Sequence, residues 1–391
     1  MKIVFSGATV FQKGILKKGG SDFVAETPLF KDFSFNSSEY FIFPAFADMH
    51  VHFREPGFSY KETIKSGSMA AAHGGYTTVC TMPNLNPAPD SIENLKIQLD
   101  IINKDASIRV LPFGTITKGE KGTELSDIEM LAPYVCGFSD DGVGVNDNGL
   151  MQEAMQRAKA VDKIISAHCE DGSCIKDSPE AEWKQIERDI KLVDKIKCKY
   201  HVCHISTKES VELIRDAKKS GVNITCETAP HYLTLSQKNV KDDGRFRMNP
   251  PLREEKDRIA LIEGICDGTV DMIATDHAPH SAEEKSRGLK SLNGIVGLET
   301  AFPVLYTKLV REGVISLEKL IDLMSVAPYE RFGLEVNGYT VYNLNKEYTI
   351  DSNEFYSKGR STPFDREKVF GKTVATVCDG KLVYIDKEII M

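Results

Sequence analysis

From residue 46 onward, short apolar and β-branched runs alternate with stretches whose apolar residues recur every three or four positions, a rhythm that predicts repeated strand–helix units. Eight such runs stand out, at Phe46–His52, Thr77–Met82, Ile108–Phe113, Val135–Asp140, Lys163–His168, Tyr200–Ile205, Asn223–Glu227 and Asp271–Thr275. The stretch Lys208–Ser220 shows how the helices read: Val211, Ile214 and Ala217 share one face, Glu212, Arg215, Asp216 and Lys218 lie elsewhere, and Gly221 closes it. Eight parallel units predict an α/β fold, a TIM-type (β/α)8 barrel over residues 46–335. Residues 1–45 and 336–391 fall outside the rhythm as short strand-like runs broken by Gly, Asn and Asp, and are expected to pair as one small β-domain.

In a barrel of this kind, chemistry gathers at the C-terminal ends of the strands. The first run ends Asp48-Met49-His50-Val51-His52, where alternation sends His50 and His52 to one face, spaced to hold a metal ion. The fourth ends Ser139-Asp140-Asp141, the fifth at His168, the sixth near His204 and the eighth at Asp276. A lone strand histidine is as often a satisfied core residue as a ligand. Six donors at the ends of five strands are a different matter, and they exceed the four of one tetrahedral site, so two metal ions are expected. His73 precedes a Gly-Gly turn, and alternation puts His201 opposite to His204; both read as structural. His231 is expected near the pocket, and His277 to point away from it.

Composition narrows the setting. The 391 residues are 41% hydrophobic and 27% charged, enough for a full core, and a net charge of −8 leaves no basic stripe for nucleic acid. No apolar run approaches the ~20 residues of a membrane span, and the nine cysteines are an odd set without a CxxC pair. They read as small buried hydrophobes rather than a disulfide framework, in a cytoplasmic protein. Gly119–Gly122 reads as an ordinary surface loop.

Three segments together carry a resemblance: Asp48-Met49-His50-Val51-His52-Phe53-Arg54-Glu55-Pro56-Gly57, Thr81-Met82-Pro83-Asn84 and Ala274-Thr275-Asp276-His277-Ala278-Pro279-His280. The chain resembles the dihydroorotases of the amidohydrolase superfamily, in the subgroup with aspartate bridging its metals. The likeness runs from about residue 46 to 328, with further matches in Phe138–Val145, His201–Lys208, Met248–Arg253 and Ser357–Phe364. It implies two zinc ions per subunit, one on His50, His52 and Asp276 and the other on His168 and His204, bridged by Asp141 and a hydroxide. It further implies that Asp276 is the catalytic proton carrier and that Arg54, Asn84 and His280 bind the substrate carboxylate. A guanidinium fork and an amide donor suit such a planar anion.

The expected reaction is the reversible interconversion of N-carbamoyl-L-aspartate and L-dihydroorotate in pyrimidine synthesis. A hydantoinase or allantoinase would share barrel and metals but need no carboxylate clamp. A noncatalytic scaffold relative would have lost metal ligands, and here none is missing. The resemblance leaves a homodimer or a complex with a neighbouring pathway enzyme open. Two departures from the family pattern are expected to matter for pocket closure and subunit contacts: a shortened stretch between His168 and His204, and trimmed terminal β-structure.

Overall fold

Thr63, Ser91, Asp147, Ser178 and Thr207 each turn a side-chain oxygen back onto the amide three residues ahead, at Ser66, Asn94, Leu150, Ala181 and Ser210. Each satisfies a backbone N–H that a helix start leaves unpaired. The helices so launched include Ile64–His73, Ile92–Asp105, Asn148–Ala160, Pro179–Ile196 and Lys208–Lys219. The last buries Val211, Ile214 and Ala217, as the periodicity predicts, and Gly221 follows at φ 78°. This architecture comes from a computed structural model that describes residues 2–18, 23–26, 33–36 and 38–390.

The helices alternate with parallel strands β1 (Phe46–Val51), β2 (Tyr76–Thr81), β3 (Arg109–Pro112), β4 (Gly137–Ser139), β5 (Ile164–Ala167), β6 (Tyr200–Val202), β7 (Ile224–Thr228) and β8 (Met272–Ile273). β1–β3 form one sheet; Gly114–Thr115, continuing the chain just past β3, and β4–β8 form a second. Hydrogen bonds cross both seams, from Cys136 N to Pro112 O at 3.0 Å and from His52 N to His277 O at 2.8 Å. Ala47, Met49, Cys80, Phe113, Cys203 and Met272 pack together in one cluster. Val79, Val110, Phe138, Ile165 and Val202 join another with the helix residues Ile64, Leu95, Met155, Ile186 and Val211.

Strands from both ends of the chain share a nine-stranded sheet. Within it Gly338–Thr349 lies antiparallel to both Tyr40–Pro44 and Lys368–Cys378. Its attachment to the helices is aromatic: Phe302 and Tyr342 have ring centroids 4.2 Å apart, with Phe43 and Phe46 packed around them. The Tyr342 hydroxyl donates to Gly74 O at 2.8 Å and Thr376 Oγ1 to Ala72 O at 2.7 Å. Those two carbonyls lie at the end of helix Ile64–His73, where helix geometry leaves acceptor capacity that these hydroxyls use.

Candidate metal centre and adjoining cavity

Pairing between β1 and β2 slips between Asp48 and Val51, where β1 carries one residue more than its partner. Such bulges re-aim side chains beside functional sites. The buried Asp48 carboxylate braces this one by accepting from His50 N at 3.1 Å and from Thr275 N at 3.1 Å. Burial, only partly offset by these bonds, pushes its pKa up to about 7. Beyond the bulge, His50 and His52 reach a common centre. Asp141 enters from the loop after β4, His168 from the residue after β5, His204 from beyond β6 and Asp276 from beyond β8.

His204 and Asp276 sit at φ 33° and 48°, left-handed backbone that non-glycine residues adopt at a cost of order 1–3 kcal/mol. Alternation along β6 puts His201 and His204 on opposite faces, but the turn at His204 breaks that pattern, and both imidazoles join the network around His50.

Asp141 stands at the middle. Its Oδ1 lies 3.1 Å from His50 Nε2, 3.7 Å from His204 Nε2 and 3.8 Å from His168 Nδ1, and its Oδ2 lies 3.4 Å from His52 Nε2. Asp276 Oδ1 is 3.1 Å from His52 Nε2 and 3.6 Å from His50 Nε2. His168 Nδ1 and His204 Nε2 are 3.0 Å apart. Burial would raise both carboxyls, yet the imidazoles outweigh it: His50 and His204 hold Asp141 well below the carboxylate range, and His52 and His50 lower Asp276. Both are carboxylates at neutral pH.

Three of the four imidazoles have an acceptor on the side away from the centre. His50 Nδ1 meets Glu227 Oε1 at 2.8 Å, His52 Nδ1 meets Asn84 Oδ1 at 2.9 Å, and His168 Nε2 meets Glu170 Oε2 at 3.4 Å. In the metal-free arrangement His52 Nε2 donates to Asp276 Oδ1 at 3.1 Å, and burial, which would lower the His50 pKa, is outweighed by Asp141, which raises it. With an ion present, the outer bonds would keep a proton on each outer nitrogen and free the inner ones to coordinate. His50 Nε2 and Asp141 Oδ1 are buried and have no hydrogen-bond partner. Imidazole with carboxylate is the donor set zinc accepts, and the two buried atoms without hydrogen bonds fit such a ligand set. His50, His52 and Asp276, and likewise His50, Asp141 and His204, are close enough to share an ion.

A cavity of about 270 Å³ opens onto this cluster and is walled by Arg54, Asn84, Asn249, His280 and Leu292–Gly294. Arg54 Nη1 donates to Asn84 Oδ1 at 3.4 Å, so His52 and Arg54 both use the Asn84 oxygen and its amide NH2 remains for a ligand. His280 Nε2 donates to Asn293 O at 2.7 Å, and its Nδ1 accepts from Lys61 Nζ at 3.3 Å. Burial, Arg54 and Lys61 push its pKa down to about 3, so the ring is neutral. A larger hollow of about 660 Å³ lies beside Lys163, Lys199 and Arg331, near the N-terminal ends of β5 and β6, and has no histidine in its wall.

The remaining histidines sort by their partners. His277 bonds Glu62 at 3.4 Å and accepts from Gly297 N at 3.2 Å, away from the cavity. His73 pairs with Glu299 at 2.6 Å. His231 is buried with a free Nε2, and burial pushes it down to about 4. Three features escape sequence reasoning. Glu227 joins His50 to His201, Asn249 forms part of the cavity wall, and Glu120, in the loop read as ordinary surface, has a buried Oε1 without a partner. An acidic residue inside the apolar run Asn223–Glu227 is the one signal the sequence offered for the first.

A family model described as Dihydro-orotase-like matches residues 40–182. Among curated proteins, a dihydroorotase of Fusobacterium nucleatum is 51% identical over 377 residues, spanning 89% of this chain and 88% of that protein. A dihydroorotase of Bacillus subtilis is 46% identical over 375 residues, with the same two coverages. Among solved structures, the L-hydantoinase of Arthrobacter aurescens superposes with a TM-score of 0.86 at 22% identity, covering 97% of this chain and 95% of that one. The dihydropyrimidinase of Brevibacillus agri gives 0.84 at 21%, covering 99% and 96%. At that identity the structures speak for the fold alone, whereas the curated relatives match in sequence along nearly their whole length, and by them the chain belongs to the dihydroorotase family.

Proposed function

We propose that this enzyme interconverts L-dihydroorotate and N-carbamoyl-L-aspartate, using two zinc ions, in the de novo synthesis of pyrimidines. One observation carries the reading: a single cavity joins a six-donor metal cluster to a cationic and amide clamp, Arg54 with Asn84. In this reading the two parallel sheets make one closed (β/α)8 barrel over residues 46–335. Residues 1–45 and 336–391 form a small β-domain. The odd cysteine complement suits a reducing compartment, and the cytoplasm is the proposed location.

His50, His52 and Asp276 would hold one ion and His168 with His204 the other, with Asp141 between them. The metal pair, when bound, acidifies water and polarises a carbonyl. The chain's residues do the rest. Arg54 and the Asn84 amide bind the ring carboxylate and fix which ring bond faces Asp276. His280 joins them by exchanging Asn293 O for the substrate. Asp276, a carboxylate beside His52, accepts the proton of the attacking water and returns it to the ring nitrogen as the carbon–nitrogen bond breaks. The reverse reaction runs the same proton the other way.

A hydantoinase, acting on a neutral ring, has no use for the Arg54 clamp, so substrate charge decides between the readings. Steady-state hydrolysis of dihydroorotate and of a neutral hydantoin is measured before and after chelation, in wild type and Arg54→Met. Metal-dependent turnover of dihydroorotate is expected, with the variant losing it far more than any activity on hydantoin. Preference for hydantoin, or equal losses on both, would overturn the substrate.

A further inference from the structure

His50 offers one nitrogen to the centre and gives the other to Glu227, and this second contact differs from those of the other imidazoles. Asn84 behind His52 is a neutral amide, and Glu170 behind His168 is partly exposed and farther off, at 3.4 Å. Glu227 is fully buried and accepts from two rings at once, His50 Nδ1 at 2.8 Å and His201 Nε2 at 3.1 Å. His201 is tied in turn to Thr225 Oγ1 at 2.9 Å. The four groups form one chain, Thr225–His201–Glu227–His50, half-buried at Thr225 and buried from His201 onward, ending at an imidazole nitrogen that faces Asp141.

An anion enclosed in the core is costly, and an apolar residue of the same shape would serve packing at least as well. Its position behind a ligand nitrogen gives it a use. A carboxylate there fixes the ring's tautomer and orientation and makes its inner nitrogen a stronger donor. We infer that Glu227, held in register by His201, is a positioning residue that sets the affinity of the metal bound by His50, His52 and Asp276, with little effect on the ion held by His168 and His204. The two metal positions are then unequal by construction. The inference rests on the metal-binding reading above but not on its substrate.

The test is a zinc titration by competition with a chromophoric chelator, on the full chain, in wild type and Glu227→Gln, with visible spectra of the cobalt-substituted proteins. Glutamine keeps the shape and can accept from only one of the two rings. One of the two zinc equivalents is expected to weaken by about 10–100-fold while the other keeps its wild-type affinity, with a changed cobalt spectrum. Wild-type affinities at both positions with an unaltered spectrum overturn the assignment, even if the metal-free variant melts earlier, because Glu227 is then structural. Loss of both equivalents alike overturns the asymmetry.

Should the variant not fold, zinc-loaded wild type with 15N-labelled histidines decides instead. His50 is expected with its proton on Nδ1, and an unprotonated Nδ1 excludes the inferred bond. Two tight zincs without dihydroorotate turnover would sink the proposed substrate and leave this inference standing, whereas a wild type that binds no zinc would remove the reading on which it rests.

Discussion

Glu120 occupies a turn at φ 56°, with its Oε1 buried and unpartnered. Burial, with Asp140 and Asp141 adding repulsion, pushes its pKa up to about 9 from an ordinary 4.5. A folded-state pKa above the unfolded one means that the native state holds an extra proton between those two values, so stability falls as pH rises through that window. Well below pH 4.5 the acid is protonated in both states and nothing is lost. Above pH 9 the full cost of an enclosed charge remains. Glu120→Gln removes the titration and keeps the shape. In metal-free protein, urea melts are expected to show the variant gaining about 2–4 kcal/mol on wild type between pH 4.5 and pH 8, at no more than ~1.4 kcal/mol per pH unit. Equal stability at both values would mean that the carboxyl is solvated in the native state.

The loop after β8 shows how an element of little regular structure is held in place. Lys285 Nζ donates to Arg247 O at 3.0 Å, Leu292 O at 2.8 Å and Gly294 O at 2.7 Å. The same loop is tied outward by Glu284, which meets Lys61 and Tyr60, each at 3.0 Å. Leu292–Gly294 wall the cavity, so the ammonium shapes the pocket from behind. Lys285→Met keeps the stem and leaves three carbonyls without their donor. Loosening by about 1–2 kcal/mol is expected to raise KM for dihydroorotate roughly 5–30-fold with a smaller change in kcat, and to speed tryptic cleavage at Arg287 and Lys290. Unchanged KM and cleavage would show the loop held by other contacts.

Elements were legible in proportion to how repetitive they are. All eight strand runs from Phe46 to Thr275 contain strands, because apolar alternation and helical periodicity both report burial against a common core. Their ends were not legible. The runs drawn to Ile205 and Thr275 leave regular pairing at Val202 and Ile273, ahead of His204 and Asp276 and their left-handed turns. Nothing in a histidine or an aspartate announces positive φ as a glycine does. The six candidate donors could be read because each stands at a strand's end and because the flanking motifs carry a family likeness. Glu227 was missed since its partner His50 is 177 positions away, and Glu120 since a polar run looks the same whether its acid faces water or the core.

At the scale of the molecule, the candidate metal ligands span residues 50 to 276 and join strands that the chain reaches by separate crossovers. In the metal-free fold Asp141 lies within 3.1–3.8 Å of four imidazoles and Asp276 within 3.6 Å of two of them, while His50 Nε2 and Asp141 Oδ1 make no hydrogen bond. Such a centre detracts from stability until a cation fills it. An ion that binds only the native arrangement then adds RT ln(1 + [M]/Kd), about 4 kcal/mol at a thousandfold excess over Kd. For a chain of this length that corresponds to a rise in Tm of about 5 °C for one ion and about 10 °C for two. Chelation is therefore expected to lower Tm by that amount, reversibly on adding zinc back, and the loss should be largely absent in a His52→Ala, His168→Ala double variant, which lacks a ligand from each position. The nine-stranded sheet supplies an internal contrast, because its core of Phe5, Val341 and Val377 is a separate cluster containing no candidate ligand. Amide exchange there should respond to chelation far less than exchange in β1 and β6. A chelated enzyme that melts with the untreated one would mean that the donors are equally well satisfied without metal, and would remove the physical ground for placing ions among them.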